Sequence, residues 1–71
     1  MNKKTCQKTI GKRLRKLRRE HKVSSKQMAK IMEVSWFTYW KFERGRGTIM
    51  LSHVIRVAIF FEKSLDYIVG E

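Results

Sequence analysis

The stretch SWFTYWKFERG, Ser35 to Gly45, sets five aromatic rings into the seven positions from Trp36 to Phe42, with Lys41, Arg44 and Arg46 beside them. These side chains suit recognition rather than covalent chemistry. Rings stack and cover apolar groups, an ammonium donates to base-edge acceptors such as guanine O6 and N7, and arginines clamp phosphates. Catalysis finds no support elsewhere in the chain. No nucleophile has a plausible base, no glycine-rich phosphate loop occurs, and His21 and His53 have no Cys or carboxylate at metal-ligand spacing, so both read as structural. The expectation is a binding protein and not an enzyme, with no cofactor and no metal.

An α-helix turns about 100° per residue, and over Trp36 to Phe42 that carries the rings right round the helix. No single buried face can hold all five. If Tyr39 and Phe42 point inward, Phe37 points outward, with Trp40 and Lys41 on either side and Trp36 at the border. If Trp36 and Trp40 point inward, Glu43 goes in with them. Either way a large ring is exposed, which in a basic chain suggests contact with a partner. Trp36 and Phe37 could pack on thymine methyls or deoxyribose, or could cover a neighbouring helix or a second subunit. Lys41 could bond guanine or simply neutralise a phosphate. Thr38, near the helix N-terminus, could bond a phosphate or its own backbone.

Charge points to the class of partner. The 71 residues carry a net charge of +11, and residues 1–46 hold fifteen Lys/Arg against Glu20, Glu33 and Glu43, a net +12. Residues 47–71 hold Arg56 and Lys63 against Glu62, Asp66 and Glu71, a net −1. One part of the molecule is built for a polyanion and the rest is not. Arg44 and Arg46 flank Gly45 as a natural phosphate clamp, Lys26 is a weaker phosphate candidate, and the basic run after Ile10 reads as a steering field. No apolar span or signal-peptide core occurs, and the single Cys6 has no disulfide partner, so a reducing, cytoplasmic setting is expected.

Helices must position these groups. Ile10, Leu14 and Leu17 recur at the spacing of one helical face, predicting a first helix over roughly 8–21 after a basic tail, residues 1–8. Arg18 lies beside that apolar stripe. Ser24 and Gln27 form a capping box, and Met28, Ala29 and Met32 give a short apolar face to the second helix. Ser35 is a second N-cap candidate, and Gly45 stops the third helix. Leu51, Val54, Ile55, Ala58 and Phe61 mark a fourth helix with a wide apolar face. Ser64 caps a last short one that ends at Gly70, with Asp66 in its first turn. The fold class is all-α, one five-helix domain over 1–71.

With these elements in place, the chain resembles the lambda-repressor-like (Xre/Cro-type) helix-turn-helix family. The likeness runs without a gap from about Ile10 to Gly70, through IGKRLRKLRRE, VSSKQMA, VS..TY.KFERG, LSHVIRVA and SLDYIVG. It implies a compact domain whose helix-turn-helix unit, residues 25–44, places the third helix in the major groove of double-stranded DNA. It turns Tyr39 and Phe42 inward, matches Ala29 to the small residue at the helix crossing, and pairs Arg18 with Glu43. It also exposes departures. Lys22, Glu33 and Glu62 stand where the family usually has glycine after a helix. Ser25 replaces a glutamine that braces a phosphate, and Lys63 replaces an apolar residue. Trp36, Phe37 and Trp40 replace the polar residues common on the reading face.

The function expected is a sequence-specific transcription regulator, a small dimeric repressor or controller protein. The dimer contact is expected at Ile59, Phe60, Tyr67 and Val69, apolar residues in the half that lacks positive charge. A protein-interaction module or antitoxin that grips a protein partner with the aromatic face is the rival. A membrane-surface binder is disfavoured by the gap-free helix-turn-helix pattern.

Overall fold

Serine starts three of the five helices. The computed structural model describes residues 6–70 and places α1 at Cys6–Glu20, α2 at Ser25–Met32, α3 at Trp36–Glu43, α4 at Leu51–Phe61 and α5 at Leu65–Val69, with no strand among the described residues. The all-α, five-helix expectation holds. Ser24 closes the expected capping box: its hydroxyl oxygen accepts the Gln27 N–H at 3.1 Å, and its own N–H donates to Gln27 Oε1 at 2.9 Å. Ser35 accepts the N–H of Thr38, and Ser64 that of Tyr67. Each bond satisfies a donor that the first turn of a helix leaves without an intrahelical partner. Met50 has no hydroxyl to offer α4, and its N–H donates instead to Nδ1 of His53 at 3.1 Å.

α1 begins at Cys6 and so takes in residues 6–8 of the expected tail, while residues 1–5 lie outside the described residues. Lys8, a straight-chain residue, loses little side-chain freedom in a helix, so a start before it meets no obstacle there. α2 and α3, joined by a short turn and packed on each other, form the helix-turn-helix; α1 lies against α3 and α5, and α4 against α2. The core takes Ile10, Leu14 and Leu17 from α1, Met28, Ala29 and Met32 from α2, Tyr39 and Phe42 from α3, and Ile68 from α5.

On α4 the apolar face needs correcting. Val54, Val57, Ala58 and Phe61 are buried, whereas Leu51 and Ile55 are exposed and Val57 was not expected inside. Residues 51, 54, 55 and 58 have the same helical spacing as 54, 57, 58 and 61. In a helix apolar nearly all round, only the packing against α2 and α5 selects between them.

Lys22, Glu33 and Glu62 all hold left-handed backbone, with φ of 54°, 60° and 56°. Each ends a helix by the turn that glycine makes without steric cost. Lys22→Gly and Glu62→Gly are each expected to stabilise the fold by about 1 kcal/mol. In thermal unfolding each should raise Tm by about 4–8 °C; an unchanged or lowered Tm would show that these turns carry no strain. Glu33 differs in accepting an exposed ion pair from Arg56 at 3.1 Å, which offsets part of the gain there.

Gly11 serves another purpose. A Cβ on it would run into the carbonyl oxygen of Phe42 and lie 3.0 Å from that of Glu43. The missing side chain is what lets α1 press against the last turn of α3.

Candidate nucleic-acid interface

α3 is held at both ends. At its start the Ser35 hydroxyl accepts the Thr38 N–H and donates to Thr38 Oγ1 at 3.0 Å, so the Thr38 side chain is engaged locally. At its far end Arg18 grips Glu43 through two bonds, Nε to Oε2 at 2.6 Å and Nη2 to Oε1 at 3.3 Å. The Tyr39 hydroxyl also donates to Glu43 Oε2. The Arg18 and Glu43 side chains are only 19% and 13% exposed, so this is a partly buried, mutually satisfied cluster joining α3 to α1. The bond to Glu43 raises the Arg18 guanidinium above its ordinary range. Burial, reinforced by the Glu43 carboxylate, pushes the Tyr39 phenol up strongly.

With Tyr39 and Phe42 committed inward, the opposite face of α3 presents rings and cations to solvent. Phe37 is 58% exposed and Trp36 48%. Phe37 and Trp40 lie nearly parallel, 12° between planes and 5.8 Å between centroids, within the range of offset stacking. A cation covers each: the Lys41 ammonium is 5.2 Å from the Phe37 centroid, and the Arg44 guanidinium 4.3 Å from that of Trp40. Four side chains, Lys41, Phe37, Trp40 and Arg44, are therefore linked by cation–ring and ring–ring contacts.

Beside these contacts lies a cleft of about 440 Å³, lined by Arg15, Arg18, Ser25, Trp40, Glu43, Arg44 and Arg46. Its one carboxylate, Glu43, is already balanced by Arg18, and Arg15 stands 4.0 Å from it with a side chain 57% exposed. Ser25 sits in the first turn of α2, whose dipole favours an anion there, and Lys26 follows it on the exposed side. The structure thus brings Ser25, Trp40, Arg44 and Arg46 around one basic hollow, with Trp36, Phe37 and Lys41 on the adjoining face. Arg15 is the residue that sequence reasoning missed. Its position three residues before Arg18 on one helix could have placed it on the same side.

The four residues expected at a dimer contact have different surroundings. Ile59 is 71% exposed and, with Phe60, borders a shallow apolar groove that includes Ile31 and is rimmed by Lys30, Glu33 and Arg56. Val69 packs partly on the core. Tyr67 lies under two cations, Arg13 at 4.7 Å and Lys63 at 4.9 Å from its centroid, and its carbonyl accepts from Arg13 Nη1 at 2.6 Å. The His21 and His53 rings lie tilted against Phe61 and Phe42, with centroids 4.8 and 5.4 Å apart. Among the described residues no cluster of His, Cys, Asp or Glu could hold a metal ion, and no helix is long and apolar enough to cross a membrane.

No protein-family model and no curated protein matches the chain. Among solved structures, the crystal structure of a transcriptional regulator from Listeria innocua superposes with a TM-score of 0.84. The two sequences are 28% identical, over 92% of this chain and 61% of that one. This chain therefore spans about three fifths of that regulator's length.

Proposed function

We propose that the chain is a sequence-specific DNA-binding regulator of transcription of the lambda-repressor-like (Xre/Cro) type, a small dimeric repressor or controller that lays α3 in the major groove of an operator. The observation that carries this reading is the placement of a solvent-facing helix, with its cations, directly beside an arginine-lined hollow at the start of α2. Trp36, Phe37, Trp40 and Lys41 then face the bases, while Ser25, Lys26, Thr38, Arg44 and Arg46 meet phosphates. The likeness to a transcriptional regulator supports the same reading. A cytoplasmic site of action goes with it.

The test is a gel shift on the DNA immediately upstream of the protein's own coding sequence, where short regulators often act. A retarded band that survives excess unrelated duplex is expected. Equal competition by unrelated duplex would refute sequence specificity.

A homodimer through α4 and α5 fits a palindromic site with half-sites one helical turn apart. The exposed Ile59 and Phe60 support it. Sedimentation should show a dimer at micromolar protein, and Ile59→Lys should leave a monomer. A wild-type monomer throughout, with a footprint on a single half-site, would count against it.

The exposure of Trp36 and Phe37 also favours a second reading, an interaction module or antitoxin that grips a protein partner. Phe37→Ala separates the two: loss of a protein partner with operator affinity intact would favour the second.

A further inference from the structure

Polar readout is nearly absent from the exposed face of α3. Thr38 offers the one hydroxyl, whose oxygen accepts from Ser35 and whose own O–H is left for a phosphate. Lys41 and Arg44 offer the charged donors, and each head group rests over a ring. What the face does present is a fixed aromatic surface: Phe37, 58% exposed, held by Trp40 beneath and Lys41 alongside, with Trp36 next to it.

Base edges in the major groove carry one apolar group, the C5-methyl of a pyrimidine. A ring set against that methyl removes it from water at no polar cost. Set against the N4 amino group of an unmethylated cytosine, the same ring strips water from a donor and gives nothing back. Attraction and penalty therefore act in the same direction. The occupant that suits the face is duplex DNA, because each ring has a cation against it and the adjoining hollow adds Arg15 and Arg46.

We propose that Phe37, with Trp36, reads the C5-methyl group of pyrimidines in the major groove, so that operator specificity comes chiefly from apolar contact. The proposal rests on the duplex-binding reading above and adds its chemical target. Thymine and 5-methylcytosine both carry this group.

The experiment starts from a randomised duplex library, from which the wild-type protein selects its preferred sequence. That duplex is resynthesised with deoxyuridine for thymidine at one position at a time, and affinities are read by fluorescence anisotropy. At one or two thymines the loss of the methyl should weaken binding about four-fold, the worth of one buried methyl-sized group. Phe37→Ala or Trp36→Ala should abolish that difference while circular dichroism stays native, since both side chains lie outside the core. A parallel arm replaces the sensitive T·A pair by C·G with and without a C5-methyl on the cytosine. Recovery on methylation marks the methyl itself as the feature read, and no recovery marks thymine as the source. If no thymine responds while duplex binding persists, the proposal fails and the DNA reading stands. A four-fold loss that persists undiminished in both ring variants also overturns the assignment. If no duplex binds even at low salt, both readings fall together.

Discussion

Glu43→Ala is expected to cost about 3 kcal/mol of folding stability. For a domain of this size that is a fall in Tm of about 12–24 °C. The magnitude follows from what is left behind. Arg18 loses both its bonds, Tyr39 loses the acceptor for its hydroxyl, and all three side chains sit where water has poor access. Small domains hold only about 0.05–0.15 kcal/mol per residue, so the loss takes a large share of the total. Glu43→Gln keeps the shape and an acceptor oxygen and should cost less. A double-mutant cycle with Arg18→Met should return a coupling of about 1–3 kcal/mol, and zero coupling would rule the pair out as a clamp. The same cluster gives a pH dependence. The raised Tyr39 phenol favours the folded state as long as the unfolded tyrosine would be neutral. Its contribution is complete below the ordinary tyrosine value of 10.0 and is lost as pH rises beyond it.

The second large effect is on binding. If the basic half neutralises about five phosphates, log K should fall against log salt with a slope of about −4 to −5. From about 50 to about 200 mM salt, affinity should then drop roughly 500-fold. Arg46→Ala should lower the slope by about 1 and weaken all sequences alike. Phe37→Ala should leave the slope nearly unchanged, because no charge is lost. A slope near zero would sink the electrostatic reading of the +12 on residues 1–46.

Where serine caps and capping boxes stood, the helix starts were legible from sequence, because one side chain and one backbone N–H decide them locally. Rotation about a helix axis was less legible. The rings of α3 surround the helix, and only the resemblance turned Tyr39 and Phe42 inward, as they lie. On α4 two equivalent stripes competed, and packing chose the one with Val57. The face each cation occupies was legible, but the ring under it was not. Lys41 and Arg44 could have reached straight out from α3, and it is the side-chain conformers that lay them over Phe37 and Trp40. For Arg15 the spacing to Arg18 gave the side of α1, and the packing of α1 on α3 gave the hollow.

The bare Gly11 against the last carbonyls of α3 has a mechanical consequence. With α1 and α3 in close backbone approach and Arg18 bolting the same end, α3 has little room to roll or slide. If α3 enters a DNA groove as proposed, the adjustment falls to the duplex. Steps that kink or untwist easily, such as TA and CA/TG, would then be tolerated even where no side chain touches them. On that proposal, the stiffness of the α1–α3 joint would be read out as the elasticity of the DNA it binds.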